Sequence, residues 1–235
     1  MKLFLSGYGQ MGRMIEALAL ARGHEIIGRG DIDDLSAYDT APAADACMDF
    51  SGVGARKPLA AYIRRTKTPL VSGTTGLSQP DMDELQALSA VAPVIWTANY
   101  SLGVAVLRRM LRDYAPALRD WDKELVEMHH NRKADAPSGT AKQLLHDLDP
   151  QETAQIVHGR EGVTGARSKN EIGVFSLRGG SVAGEHTVYF FGEDEMLSLT
   201  HSASSRRVFA AGALRAAEEI AGKPPGSYTL EDLIF

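Results

Sequence analysis

Gly7-Tyr8-Gly9-Gln10-Met11-Gly12 is a G-x-G-x-x-G set between the apolar run Leu3-Phe4-Leu5 and a stretch with Met11, Met14, Ile15 and Leu18 at helical spacing. The apolar run reads as a buried strand. The periodic stretch reads as a helix that stops near Arg22-Gly23. A second strand, Glu25-Ile26-Ile27, ends in Gly28-Arg29-Gly30-Asp31. Strand, glycine turn, helix and strand make a βαβ unit of the length that a dinucleotide-binding turn requires. In such a unit the first glycine permits the turn, the second lets backbone approach a pyrophosphate, and the third lets helix and strand pack closely. A purely structural turn is the weaker alternative. The expectation is therefore a cofactor loop made of Gly7, Tyr8, Gly9, Gln10, Met11 and Gly12, with NADH or NADPH as the dinucleotide.

The sequence leaves the 2′ position of that cofactor open. Asp31 follows Gly12 by nineteen residues, where a carboxylate would bond a ribose hydroxyl. Arg29 lies two residues earlier and could instead face a 2′-phosphate. Both could equally belong to a solvated loop with Asp33 and Asp34.

Alternation of helix and strand continues to about residue 98. Ala46 to Ser51, Pro69 to Ser72 and Pro93 to Trp96 read as strands, Pro58 to Arg65 and Pro80 to Ala90 as helices. The strands are short continuous apolar runs, as in a parallel sheet covered on both faces. Ligands bind such sheets at the carboxyl ends of the strands. That places Ser51, the Gly73-Thr74-Thr75-Gly76 loop and Ala98-Asn99-Tyr100 beside the glycine turn as further cofactor contacts.

Past Ser101 the texture changes. Val104 to Leu118 reads as a helix and Glu124 to Met128 as a strand. The strand enters Glu127-Met128-His129-His130-Asn131-Arg132-Lys133-Ala134-Asp135-Ala136-Pro137-Ser138-Gly139-Thr140. Two adjacent imidazoles and a lysine can trade protons or hold anions near neutral pH. A Ser-Gly-Thr helix entry, here leading into Ala141 to Leu148, offers backbone N–H groups to a carboxylate or phosphate. A polar loop followed by a helix cap would explain any one of these residues; their density favours a site. Strand-like alternation follows over Ile172 to Arg178, His186 to Phe191 and Met196 to His201, and a helix over Arg207 to Ala221. The fold expected is α/β: an N-terminal Rossmann-type parallel sheet with helices on both faces, plus an α+β domain with a mixed sheet. Boundaries fall at 1–98, completed by about 206–235, and 99–205.

With 44% hydrophobic residues in 235, the chain has material for a substantial core. Its net charge of −5 is spread over interspersed acids and bases, so no nucleic-acid footprint stands out. A single cysteine, Cys47, reads as a core thiol and excludes an intrachain disulfide. No apolar run reaches a membrane span. Met1-Lys2 leads straight into a strand, which leaves no room for a signal peptide. A cytoplasmic location is expected, without a membrane or nucleic-acid partner and without a metal site.

These residues together resemble the dihydrodipicolinate reductase family over the whole chain. The family's E-x-H-H-x-x-K-x-D-A-P-S-G-T motif stands unbroken at Glu127 to Thr140, and its G-T-T-G loop at Gly73 to Gly76. Its A-N-[FY]-S-x-G-V segment is Ala98 to Val104, its S-x-R-G-G…G-x-H-x-V segment Ser176 to Val188, and its H-x-A-x-S-R-x-x-F-A-x-G-A helix His201 to Ala213. Position 10 is Gln where the family often has Arg, and Tyr100 replaces the commoner Phe.

The resemblance implies reduction of a cyclic imine dicarboxylate, 4-hydroxy-tetrahydrodipicolinate, to tetrahydrodipicolinate by NADH or NADPH in lysine and diaminopimelate biosynthesis. It implies acid/base roles for His129 and Lys133, substrate binding by His130, Lys133, Ser138, Gly139 and Thr140, and a homotetramer assembled through the second domain. Glu127 and Asp135 are expected to orient imidazole or cap backbone. Two other readings share the first domain. An aspartate dehydrogenase-like enzyme needs no A-P-S-G-T loop, and a redox sensor without turnover needs no His-His-Lys set.

Overall fold

The computed structural model describes residues 1–235, which form two compact units. The first comprises Met1–Ser101 and Arg207–Phe235, the second Leu102–Arg206.

The first unit begins with β1 (Lys2–Ser6), α1 (Gln10–Ala21) and β2 (Glu25–Gly30). It continues through α2 (Ser36–Thr40), β3 (Ala46–Asp49), α3 (Arg56–Thr66), β4 (Leu70–Ser72), α4 (Gln79–Leu88) and β5 (Pro93–Trp96). The expected strands and helices all form, with ends shifted by a few residues. Ser78 caps α4 in a reciprocal box with Asp81, which moves the helix start ahead of Pro80. Lys67 ends α3 in the left-handed conformation, with φ 57°.

The second unit holds α5 (Leu102–Tyr114), β6 (Asp122–His129), α6 (Gly139–Leu148), β7 (Gln155–Val157), β8 (Glu171–Arg178), β9 (Gly184–Phe191) and β10 (Met196–Ala203). The chain then returns to the first unit as α7 (Arg207–Ile220), β11 (Gly226–Tyr228) and α8 (Leu230–Ile234). The helix expected over Val104 to Leu118 ends at Tyr114 and tightens into a 3₁₀ turn over Ala115–Leu118. Pro116 cannot donate the α-helical hydrogen bond at that point.

All six strands of the first sheet are parallel, in the order β11-β5-β4-β3-β1-β2. Its core gathers Phe4, Leu59, Tyr62, Ile63, Leu70 and Leu85. From α7, Ala210, Ala213, Leu214 and Ala217 are wholly buried, and the helix packs on α1 and β3. Gly212 is obligatory there, because a Cβ would lie 1.7 Å from the carbonyl oxygen of Tyr100. The second sheet is mixed, in the order β10-β9-β6-β8-β7, with β6 parallel to β8 and antiparallel to β9. On one face Leu125, Val174, Val188 and Phe190 pack against Leu107, Leu111 and Leu144 of α5 and α6. No helix is long and apolar enough to cross a membrane.

Candidate functional site

In the first sheet, chain connections run one way from β1 to β2 and the other way from β3 to β4 and β5. The carboxyl ends of β1 and β3 thus flank a topological switch point, where parallel sheets open a crevice. Gly7 turns there with φ 90°, and a Cβ on it would lie 2.5 Å from Cα of Ser51. A Cβ on Gly12 would lie 2.1 Å from the Gly7 carbonyl oxygen. Packing demands both glycines. At Gly9 a Cβ would meet nothing within 4 Å, so that backbone faces open space. α1 begins at this point without a side-chain cap or an acidic residue in its first turn. Its N–H groups and positive dipole end suit an anion, and the cradle fits a pyrophosphate.

Asp49 holds these loops together, and the sequence reading missed it. Its wholly buried carboxylate accepts hydrogen bonds from Ser6 Oγ at 3.0 Å, Ser51 Oγ at 2.6 Å, Ser72 Oγ at 2.6 Å and Thr74 Oγ1 at 3.0 Å. Arg56 Nη1 pairs with it at 3.0 Å. A carboxylate removed from water needs such a set of partners. The available signal was an acid closing the apolar run Ala46-Cys47-Met48. Three of the expected cofactor contacts belong to this hub or adjoin it. The hydroxyls of Ser51 and Thr74 face Asp49, and Tyr100 is buried with its hydroxyl donating to the Ser72 carbonyl at 2.8 Å. Ala98 and Thr75 are exposed, while Gly73, Met11 and Asn99 are half-buried.

At the end of β2 the two ribose candidates part. Asp31 accepts the Tyr8 N–H at 2.8 Å and its own neighbour's N–H, from Ile32, at 2.6 Å. Its carboxylate therefore sits on the glycine turn. Arg29 instead pairs with Glu16 of α1, which also takes the Tyr8 hydroxyl.

In the second unit, β6 delivers Glu127 and His129 to one face of the strand, two residues apart. Glu127 is wholly buried. It accepts from Arg178 Nη1 and Nη2 at 2.9 and 2.8 Å and from the Ser138 N–H at 3.2 Å, and it lies 2.5 Å from His129 Nδ1. Burial pushes its carboxyl up, but hydrogen bonds from Arg178, Ser176 and His129 outweigh burial and bring it down to about 2. A permanent carboxylate fixes the imidazole with Nδ1 as donor and turns Nε2 outward. Nε2 faces Gly184, where a Cβ would approach it to 3.1 Å.

Ser138 caps α6 by accepting the Ala141 N–H at 3.1 Å, and it meets His186 Nε2 at 2.9 Å. Burial, then the charge on His129, lowers the His186 pKa to about 4, so that ring is neutral at pH 7. His186 stands edge-on to His129, with ring centroids 5.2 Å apart. Gly139 is exposed and Thr140 half-buried in the first helical turn, where N–H groups lack intrahelical acceptors. Lys133 Nζ lies 2.8 Å from the exposed carboxylate of Asp135. Asp135 thus pairs with the lysine rather than with an imidazole, and its carboxylate also takes a backbone N–H. It parks the ammonium. Glu127 does orient imidazole, as expected. His130 is half-buried, and its Nδ1 is buried without a hydrogen-bond partner. Burial and then the positive charges of Arg132 and Arg206 lower its pKa.

Arg178 and His186 complete the cluster and carried no role in the sequence reading. They stand in the Ser176 to Val188 segment, 51 residues from Glu127 in the case of Arg178 and 48 from Ser138 in the case of His186. Pairing of β6 with both β8 and β9 opposes Glu127 to Ser176 and His186 and brings them in.

Comparison with known proteins agrees with this geometry. Residues 1–100 match the family model for the N-terminus of dihydrodipicolinate reductase, and residues 103–234 match that for its C-terminus. A 4-hydroxy-tetrahydrodipicolinate reductase of Exiguobacterium sibiricum is 39% identical over 99% of this chain and 96% of its own. That of Campylobacter lari is also 39% identical, over 96% of this chain and 95% of its own. Among solved structures, a dipicolinate-bound dihydrodipicolinate reductase from Paenisporosarcina sp. TG-14 shares the fold, with TM-score 0.75, 21% identity and coverage of 100% and 99%. An amine dehydrogenase from Mycobacterium smegmatis shares it less closely, with TM-score 0.58, 12% identity and coverage of 100% and 96%. The models for the N-terminus and the C-terminus of one enzyme lie end to end along this sequence, and the chain belongs to the dihydrodipicolinate reductase family.

Proposed function

We propose that this chain reduces 4-hydroxy-tetrahydrodipicolinate to tetrahydrodipicolinate with NADH or NADPH, with residues 1–98 and about 206–235 binding the dinucleotide and 99–205 the substrate. The observation that carries the reading is the fold of Glu127 to Thr140. One unbroken segment supplies a carboxylate-held imidazole, a lysine and a capped helix start. The bound reduced nicotinamide supplies the hydride. Lys133 holds one substrate carboxylate as a point charge, once Asp135 gives it up. The N–H groups of Gly139 and Thr140, with the Thr140 hydroxyl, hold the other. Ser138 sets that turn, and His130 lies against the substrate. His129 and Lys133 are the acid/base groups. Glu127 keeps the His129 Nδ1 proton in place, so that exchange with the substrate occurs at Nε2. Gly7 to Gly12, Arg29 and Asp31 hold the dinucleotide, together with the loops at Ser51, Gly73 to Thr75 and Ala98 to Tyr100.

Loss of dinucleotide absorbance with this substrate tests the activity directly, and the same assay locates the anion site. Pyridine-2,6-dicarboxylate, a planar ring with two carboxylates, is expected to compete with substrate. Its inhibition constant is expected to rise in Lys133→Ala and in Thr140→Val. An unchanged constant in both variants would place the carboxylates elsewhere.

The assembly proposed is a homotetramer with two-fold symmetric contacts. Opposite the face covered by α5 and α6, strand alternation presents Val126, Met128, Phe175, Leu177, Tyr189, Phe191 and Met196. Leu177, Phe191 and Met196 are exposed, with Thr187, Ser198 and Thr200 between the apolar residues of this face, and exposed apolar side chains grouped on one sheet face suit an association surface. Light scattering at micromolar concentration is expected to give four times the 25.3 kDa chain mass. A value near one chain mass would reject the assembly. A biosynthetic reductase drawing on metabolic dinucleotide is placed in the cytoplasm.

A further inference from the structure

Arg29 and Asp31 both stand where β2 ends, yet their charges are committed differently. The reason lies on the neighbouring helix. Glu16 of α1 is 7% exposed, and its carboxylate has two partners, the Arg29 guanidinium and the Tyr8 hydroxyl. The hydrogen bond from Arg29 holds the Glu16 carboxyl below its usual range, against the opposing effect of burial. Arg29 also lies over the Tyr8 ring, 5.5 Å from its centroid. A phosphate recruiting Arg29 would leave a buried carboxylate with its countercharge taken away, and that stranding is costly. Asp31, by contrast, already carries its charge on the glycine turn through the Tyr8 N–H, and a carboxylate has lone pairs left for a ribose hydroxyl. A 2′-phosphate in the same place would meet like charge from Asp31, with Asp33 and Asp34 following on the same loop.

From this arrangement we infer that Glu16 is a specificity-determining residue, which sequesters Arg29 and so makes the adenosine end of the dinucleotide site select NADH over NADPH. The inference rests on the dinucleotide-binding role proposed above for this unit. Glu16 itself touches no cofactor; it acts through Arg29. The second guanidinium nearby, Arg13, donates Nε to the Tyr8 carbonyl at 3.2 Å and lies 5.6 Å from the centroid of the Tyr8 ring. It is tied to the glycine turn rather than to the end of β2. It therefore serves a charge common to both dinucleotides.

The test is titration of NADH and of NADPH, followed by nicotinamide fluorescence, on the intact chain without substrate. The variants are Glu16→Gln, Glu16→Ala, Arg29→Ala, Arg13→Ala and the double variants Glu16→Gln/Arg29→Ala and Glu16→Gln/Arg13→Ala, each checked for an unchanged melting temperature. Glu16→Gln keeps a partner for the Tyr8 hydroxyl and removes the charge. Wild type is expected to bind NADH more tightly. In Glu16→Gln the NADPH-to-NADH affinity ratio is expected to rise by about tenfold, the size of one freed charge-assisted hydrogen bond. Arg29→Ala should cancel that rise in the double variant, while Arg13→Ala should weaken both dinucleotides alike and leave the rise in place. An unchanged ratio in both Glu16 variants would overturn the inference, as would a rise that survives Arg29→Ala. Wild type that binds neither dinucleotide would overturn the proposed cofactor role instead, which keeps the two failures distinct.

Discussion

Lys133→Ala is expected to lose most of its turnover while binding dinucleotide as well as the unmodified chain. The ammonium sits 2.8 Å from Asp135, in the second unit, whereas the glycine cradle is built from residues of the first. Its partner carboxylate is 56% exposed, so the pair is a weak one that substrate can displace. A substrate carboxylate brought into a water-poor site has a larger claim on that charge. Removing the partner of a desolvated charge costs about 2–4 kcal/mol, which in kcat/KM is roughly thirtyfold to a thousandfold. Steady-state kinetics beside a fluorescence titration with dinucleotide checks both halves of the expectation. Near-normal kcat/KM in the variant would remove Lys133 from the substrate site.

The larger effect is expected at His129. Asparagine in its place puts an amide N–H where Nδ1 stood and can still donate to Glu127, so the buried carboxylate keeps a partner and the fold is spared. What disappears is the group proposed to exchange a proton at Nε2. A positioned acid/base group contributes on the order of 10²–10⁴-fold, and that loss should fall on kcat with KM little changed. A raised KM at constant kcat would instead make His129 a binding residue. Arg178 offers a second view of the same machinery, since it contributes two of the bonds that keep Glu127 ionised near neutral pH.

Helix and strand periods at the N-terminus are enough to write down the first five strands, because a parallel sheet buried on both faces leaves continuous apolar runs such as Pro93 to Trp96. The Glu127 to Thr140 segment was visible for a different reason. Its chemistry is dense and contiguous, so residues adjacent in sequence are also adjacent in space. What escaped has a common physical cause. Gly226-Ser227-Tyr228 is a strand only because β5 offers it an edge, and nothing in three residues after Pro224-Pro225 announces that partner. Asp49 gains its meaning from Ser6, Arg56, Ser72 and Thr74, which the sheet order alone assembles. The same holds for Glu16 and Arg29, thirteen residues apart on a helix and a strand. Buried polar partners chosen by tertiary packing leave no local period to read.

The return of α7 and β11 to the first sheet also sets an order of events during synthesis. Residues 1–101 emerge first, but the strand that closes one edge of their sheet, and the alanine-rich helix that covers β3, are made last. Residues 102–206 are a continuous stretch with their own core and emerge complete before that. The inserted unit is therefore able to fold while the ribosome is still translating. The glycine cradle waits with an open sheet edge and an uncovered face until residues 207–228 are out. An exposed parallel edge is the kind of surface on which nascent chains aggregate. In this architecture the cofactor-binding half, though begun before the inserted unit, is finished after it.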